Sequence, residues 1–310
     1  MRQHRLDGLA RPLSALVMGC DNKTDADDGA ALWSAFIAAG GNVFDTAHIY
    51  GKGACERALG DWLARERLTG AVTVIVKGAH TPWCDPANLS LQLGESLDRL
   101  RLDRADIYLL HRDNPDIQVG EFVDALDAEA AAGRIGLFGA SNWTVARFRE
   151  ANAHADRHGR RRFAALSNNL SLARMQRPVW PGSVAASDDA TLRFLAETRT
   201  AHFAWSSQAR GYFHRPGSAA PLAAGTRPED CFDSPENRER RRRAERLGAR
   251  RGLAAAQIAT AYVLNQPFPS FALIGPRTEA ELADSLPGAE VALSAEELAW
   301  LDLHRDDDPG

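Results

Sequence analysis

Short apolar runs recur along the chain, each followed by a longer stretch in which apolar positions return at intervals of three and four. The first pattern reads as a strand buried on both faces and the second as an amphipathic helix. Strands are predicted at Ala15–Met18, Asn42–Phe44, Val72–Lys77, Ile107–Leu110, Gly136–Gly139, Ala164–Ser167, His202–Ser206 and Phe271–Ile274. Helices are predicted at Asp28–Ala39, Ala54–Glu66, Leu89–Leu100, Val119–Ala132, Val145–His158, Ala190–Thr198, Ala254–Asn265 and Glu279–Ser285. Asp27 and Asp28 read as caps before the first helix, and Gly40-Gly41 as its stop.

Eight βα units whose strands are apolar on both faces favour a closed (β/α)8 TIM barrel over an open doubly wound sheet. No repeat at a fixed period, low-complexity tract or long linker divides the chain, so residues 1–310 are expected to form a single domain. Two parts extend beyond a bare barrel. The stretch Tyr212 to Glu236 is a long loop after strand seven, which puts it on the face where barrel enzymes do their chemistry. Leu293 to Leu303 reads as a C-terminal helix capped by Ser294, with Glu296 and Glu297 in its first turn.

Composition narrows the partners. The 310 residues are 45% hydrophobic and 25% charged, ordinary for a globular protein, and the formal net charge of -4 offers no attraction for nucleic acid or an anionic membrane. A small molecule becomes the expected partner. The one dense basic run, Arg238 to Arg251, is interleaved with Glu239, Glu245 and Leu247 and reads as a solvated helix face. Cys20, Cys55, Cys84 and Cys231 are scattered without paired spacing, which suits free thiols in a reducing compartment. No stretch has the roughly 18 apolar residues of a membrane span. Charges at Arg2, Arg5, Asp7 and Arg11 interrupt any secretory signal, and a cytoplasmic location is expected.

Functional side chains in βα barrels gather where strands end. There the sequence sets Asp45 and Tyr50 in FDTAHIYG, Lys77 in VIVKG and His111 in YLLHRDNP. Taken singly, a loop cap, a packed ring, a snorkelling lysine and a satisfied core histidine are sufficient explanations. Together, at the ends of strands two, three and four, they form a proton-transfer set. A tyrosine with pKa near 10 is a poor proton partner at neutral pH, an adjacent ammonium favours its phenolate, and a carboxylate keeps that ammonium fixed and charged. The histidine can donate a hydrogen bond to a carbonyl oxygen.

FDTAHIYG, VIVKG, YLLHRDNP, GRIGLFGASNW, AWSSQARG and LIGPRT, in this order over roughly residues 13 to 303, resemble the aldo-keto reductases. The resemblance implies an NAD(P)H-dependent oxidoreductase that interconverts a carbonyl and an alcohol, with Asp45, Tyr50, Lys77 and His111 as its tetrad and Tyr50 as general acid/base. It assigns the nicotinamide carboxamide to Ser141 and Asn142 and the stacking aromatic to Trp205. The pyrophosphate falls to Ser206, Ser207, Gln208 and Arg210, and the adenosine end to Gly275, Arg277, Glu281 and Ser285. Gly19 and Ser167 are expected beside the cofactor as well.

The chain departs from the family pattern at several positions. Ser167 and Leu170 stand where Gln and Tyr are usual, Ile274 where Pro is, and Glu281 where many NADP-using relatives carry a basic or amide residue. A carboxylate at 281 would repel a 2′-phosphate, whereas Arg277 can bind one bidentately. NADP(H) is the preferred expectation, with NAD(H) the alternative.

His48, Trp83 and Trp143 are expected to rim the substrate pocket, with Trp180, Arg112, Asp85 and Asn114 as further candidates. Aromatic faces beside polar groups suit a sugar-like carbonyl, and aromatic ketones equally. Two other functions stay open: a non-catalytic nucleotide-sensing or partner-binding subunit on the same fold, and a metal-dependent hydrolase using His48, His80, His111, Asp45 and Asp85. Against the hydrolase, no His-x-His spacing is present and Lys77 would put a cation at the metal. No metal is expected.

Overall fold

The computed structural model describes residues 1–214 and 227–310. A short antiparallel hairpin, β1 (Gln3–His4) and β2 (Leu13–Ser14), opens the chain. Eight parallel strands follow: β3 (Leu16–Gly19), β4 (Val43–Ala47), β5 (Thr73–Gly78), β6 (Ala105–Leu110), β7 (Ile135–Ser141), β8 (Ala165–Ser167), β9 (Ala201–Ala204) and β10 (Ser270–Ile274). They pair in chain order and close through β10 against β3, with Ala272 opposite Leu16 and Ile274 opposite Met18. The barrel expected from the apolar runs is the one observed, and the hairpin is an element the sequence pattern did not disclose.

Around the barrel lie α1 (Ala26–Ala38), α2 (Ala54–Arg65), α3 (Pro86–Leu100), α4 (Val119–Ala131), α5 (Val145–His158) and α6 (Asp189–Thr198). They are followed by α7 (Pro228–Phe232), α8 (Pro235–Arg251), α9 (Ala255–Leu264), α10 (Glu279–Ser285) and α11 (Ala295–Leu301). The cap of α1 is Asp25, whose side chain accepts from the backbone N–H groups of Asp27 and Asp28. The expected caps Asp27 and Asp28 therefore donate in the first turn rather than capping it. Ser294 caps α11 as expected. No helix among the described residues is long and apolar enough to cross a membrane.

Two packed layers position the site. Between barrel and helices, Trp33, Phe36, Phe44 and Trp62 interlock with ring centroids 5.3–5.6 Å apart. Inside the barrel, each strand contributes alternate side chains, among them Val17, Val43, Ile75, Leu109, Ala165, Phe203 and Leu273, with Leu137 packed against them. The hairpin closes the bottom: Leu6 and Leu9 join this inner cluster, and His4 meets Phe271 edge-on at 5.3 Å.

Because side chains alternate with period two, the next inward position on each strand faces the opposite, C-terminal mouth. Those positions are Gly19, Asp45, Lys77, His111, Ser167, Trp205 and Gly275, with Ser141 two steps beyond Gly139. The top layer of the barrel is thus polar where the layers beneath it are apolar.

The basic run on α8 corrects an expectation. Arg240 and Arg243 are 4% and 8% exposed rather than solvated. Arg240 bonds the carbonyl oxygen of Asp302 at 3.2 Å, and Arg243 bonds the carbonyl oxygens of Trp300 and Arg305, each at 2.7 Å. These two residues tie the C-terminal helix and the segment after it to α8, while Arg238, Arg242 and Arg246 stay on the solvated face that was expected. Of the long loop after β9, residues 215–226 lie outside the described residues, while its later part forms α7 and leads into α8.

Gly139 on β7 sits so close to β8 that a Cβ there would stand 1.9 Å from the carbonyl oxygen of Ala165. Gly139→Ala is expected to destabilise by about 3 kcal/mol or more, since backbone must move to relieve the clash. Gly94→Ala on α3, where an added Cβ meets nothing closer than 3.7 Å, is expected to be neutral or to stabilise by up to about 1 kcal/mol. Denaturant melts of the two variants check the contrast.

Candidate active site

Asp45 and Lys77 stand on neighbouring strands of the top layer, 3% and 4% exposed. The Lys77 ammonium donates to Asp45 Oδ1, and Asp45 Oδ2 has no partner. Burial, the largest single influence, works to strip the charge from Lys77, but the Asp45 carboxylate and the Tyr50 oxygen together outweigh it and hold the pKa above the ordinary value. Burial pushes the Asp45 carboxyl upward against the pull of Lys77. The pair persists because neither charge has water to turn to.

Tyr50 reaches the same point from the loop after β4. Gly51, Lys52 and Gly53 all have positive φ (54°, 54° and 85°), a tight left-handed turn that brings the chain back over the mouth before α2 begins. The ring lies with its centroid 5.2 Å from Lys77 Nζ and meets His111 edge-on at 5.7 Å. Burial pushes the hydroxyl up to about 12, and the opposing pull of Lys77 does not overcome it. The lysine was expected to favour the phenolate; desolvation wins, and Tyr50 stays protonated at neutral pH.

His111 is 7% exposed, and its backbone N–H donates to the Gly78 carbonyl at 2.7 Å. Burial, with Lys77 nearby, holds its pKa well below the usual value, so the ring is neutral, and Nδ1 is buried without a partner. His80 meets it edge-on at 4.9 Å. The four residues line one cavity of about 970 Å³ at the barrel mouth, within the range of small-molecule sites.

The cavity continues from the tetrad past Ser141, Asn142 and Trp205 to Gly275, Arg277, Glu281 and Ser285, with Gly19, Ser206, Gln208 and Arg210 also on its wall. Ser141 Oγ donates to the carbonyl oxygen of Ser167 at 2.8 Å and accepts from Asn142 Nδ2 at 3.0 Å. Gln208 Nε2 ties the loop after β9 to Thr260 at 3.2 Å and to Ser285 at 3.0 Å. Trp205 Nε1 and Arg210 Nε are buried without partners among the described residues, and the Arg210 guanidinium lies 4.8 Å from the Trp180 ring centroid. Unsatisfied donors, an aromatic wall and arginines along one elongated cleft fit a dinucleotide with an aromatic head and anionic linker.

Several expected contacts do not reach the cavity. Ser167 is 1% exposed, donates to the Phe203 carbonyl at 2.8 Å and acts on the site only by holding Ser141. Ser207 is fully buried, pinning its loop to the Leu273 carbonyl at 2.7 Å. Trp143 is fully buried, with its indole N–H on the Arg112 carbonyl at 3.2 Å and its ring packed on Phe163, so it cannot touch a ligand. His48 turns to Glu95 at 2.6 Å, and Trp83, 62% exposed, stands outside the cavity wall. Asp85 caps α3, and Asn114 donates to the Cys84 carbonyl at 3.0 Å.

Trp180 does line the cavity, inclined against Trp205 at 5.7 Å, together with Arg112. Cys20, Asp21, Ile49 and His214 also line it and were not expected; His80, weighed above only as a metal ligand, and Asp284, within the segment expected at the adenosine end, line it too. Of the unexpected four, Cys20 and Asp21 carried the signal of following Gly19 directly, and His214 that of the long loop after the seventh strand.

The aldo/keto reductase family profile matches residues 16–306. Norsolorinic acid reductase of Emericella nidulans is 29% identical over 293 residues, 86% of this chain and 69% of its own. An uncharacterized oxidoreductase of Bacillus subtilis, YrpG, is 28% identical over 276 residues, 83% of this chain and 81% of its own. The glycerol dehydrogenase of Gluconobacter oxydans superposes with a TM-score of 0.77 at 20% identity, covering 99% of this chain and 98% of that one, a likeness of fold. With the profile spanning nearly all of a closed eight-stranded barrel whose mouth gathers Asp45, Tyr50, Lys77 and His111, the chain belongs to the aldo/keto reductase family of oxidoreductases.

Proposed function

We propose that this oxidoreductase interconverts a carbonyl compound and its alcohol by hydride transfer, with Tyr50 as general acid/base and NADP(H) preferred over NAD(H). The carrying observation is that a buried Lys77–Asp45 pair, a protonated Tyr50 and a neutral His111 converge on one cavity. When bound, the nicotinamide supplies or accepts the hydride.

The protein's own share is proton handling and orientation. His111, uncharged, donates a hydrogen bond to the carbonyl oxygen without competing for its proton. Tyr50 delivers the proton to that oxygen as it gains negative charge. The Lys77 ammonium, held by Asp45, stabilises the resulting phenolate, the only stage at which Tyr50 is charged. In the oxidative direction the phenolate takes the alcohol proton.

Trp205 is the candidate wall for the nicotinamide ring, Ser141 and Asn142 for its carboxamide, and Gln208 with Arg210 for the linker. For the adenosine end, Arg277 supplies a guanidinium. The Glu281 carboxylate accepts from the Arg277 backbone N–H at 2.7 Å, so one of its oxygens is engaged at the start of α10. That engagement weakens the repulsion expected of Glu281 and supports the NADP(H) preference. A non-catalytic subunit would need none of this convergence.

Tyr50→Phe removes only the proton donor and is expected to lower kcat for carbonyl reduction by about 100-fold or more, with cofactor affinity largely kept. Near wild-type turnover in that variant would exclude Tyr50 as the acid.

The pH dependence follows from the raised tyrosine. The acid form is lost only as pH rises through the folded value of about 12, so kcat/KM for reduction should stay level from about pH 6 to 10. Alcohol oxidation, which needs the phenolate, should rise over the same interval. A reduction profile that bends near neutrality would contradict this assignment.

Arg277→Ala should weaken NADPH binding by about 1.5–3 kcal/mol and leave NADH almost unaffected. Fluorescence titrations that give equal losses for both cofactors would remove Arg277 from phosphate recognition.

A further inference from the structure

We infer that Arg112 anchors the substrate, and that the carbonyl compound this site takes carries a carboxylate one or two bonds from its reacting carbon. The inference rests on the carbonyl-reducing reading above and names its substrate class.

Three arginines among the described residues are 8% exposed or less: Arg112, Arg240 and Arg243. Arg240 has Asp302 at 3.4 Å and Arg243 has Glu239 at 2.8 Å. Arg112 has no carboxylate within 4.0 Å among the described residues. Its one side-chain bond runs from Nη1 to the carbonyl oxygen of its neighbour His111 at 3.1 Å. The acids near it in the chain are engaged elsewhere: Asp113 with Arg147 at 3.2 Å, and Asp85 with the Asn88 backbone N–H at 2.8 Å. A buried cation without a counter-charge is unfavourable, and burial accordingly lowers its pKa.

This arginine is also held in place. Its carbonyl oxygen accepts from Trp143 Nε1 at 3.2 Å and from Cys84 Sγ at 3.3 Å, which locks the backbone. A Cβ added to Gly182 would lie 3.8 Å from both Cδ and Nε, so the segment that follows Trp180 passes close to the side chain. A residue whose backbone is fixed, on the wall of the cavity that holds Tyr50, His80 and His111, is preorganised for a ligand.

The ligand's chemistry follows from the charge present. Four of the five guanidinium N–H groups are unengaged, enough for two parallel bonds to a carboxylate. Lys77 is neutralised by Asp45, so Arg112 brings a single uncompensated charge to this corner, which matches a monoanionic carboxylate better than a phosphate dianion. Arg112 adjoins His111 in sequence and interacts electrostatically with Tyr50, the two residues that would meet the carbonyl oxygen. A carboxylate on Arg112 therefore shares one cavity with the reacting carbon, the arrangement a 2-oxo acid or a short aldehyde acid would take.

The test measures kcat/KM of the enzyme with NADPH and with NADH for pyruvate against methyl pyruvate and for glyoxylate against methyl glyoxylate, with 4-nitrobenzaldehyde as a neutral reference. The acids should be preferred over their esters by about 10- to 100-fold, the span of a charged hydrogen bond. The ratio should fall to about 1 in Arg112→Met and stay intermediate in Arg112→Lys, which keeps the charge without the fork. Oxamate, an unreactive carboxylate, should compete with pyruvate in the wild type. Esters turned over as well as acids by the wild type, or a ratio that survives in Arg112→Met, would overturn the assignment even if a variant folds poorly, since the wild-type ratio needs no variant. Reduction of 4-nitrobenzaldehyde without any advantage for the acids would remove Arg112 alone. Failure to reduce every compound would remove the carbonyl-reducing reading and this inference with it.

Discussion

Closure of eight parallel strands is the constraint on which the site depends. Once β10 pairs with β3, none of the eight barrel strands has an open edge, and each must send alternate side chains into the enclosed interior. The inward positions are therefore apolar through the middle of the barrel. Polar groups are tolerated only in the last inward layer, where the mouth opens. Asp45, Lys77 and His111 each follow an inward apolar residue by two positions, so their convergence comes from the pleat and register rather than from separate loop conformations.

That arrangement sets the electrostatics. A lysine and an aspartate at 4% and 3% exposure would each be costly alone, and together they leave a fixed ammonium beneath Tyr50. The same burial holds Tyr50 protonated and His111 neutral, so at rest the tetrad contains one compensated ion pair and two uncharged donors. Charge on the tyrosine arises only with proton transfer, where the lysine can stabilise it. Arg112, one residue past His111, is the exception, a buried cation beside the tetrad with no carboxylate partner among the described residues.

The strands were legible because a strand buried on both faces must be apolar throughout, and the helices because their stripes repeat near 3.6. The hairpin was not legible: its strands have two residues each, too few for any period, and its role in plugging the barrel exists only once there is a barrel. The arginines of α8 misled for a related reason. Alternation with glutamates looks the same whether guanidinium groups meet water or, like Arg240 and Arg243, the carbonyl groups at the end of α11.

The sequence alone determined the barrel class, the approximate place of each strand and, near their C-terminal ends, Asp45, Lys77 and His111 as candidates, because period-two alternation is a local property that the order of residues carries directly; the ends themselves moved, as at β4, expected to stop at Phe44 and running to Ala47. Tertiary structure decided which aromatic rings face the ligand. Trp143 and Trp180 both follow strand ends, yet the first is drawn inward by the Arg112 carbonyl and Phe163, while the second leans over the cavity against Trp205. It also decided the balance at Tyr50, where both burial and Lys77 act and only their relative distances show that desolvation prevails. Those outcomes depend on contacts between residues far apart in the chain, which no local pattern encodes.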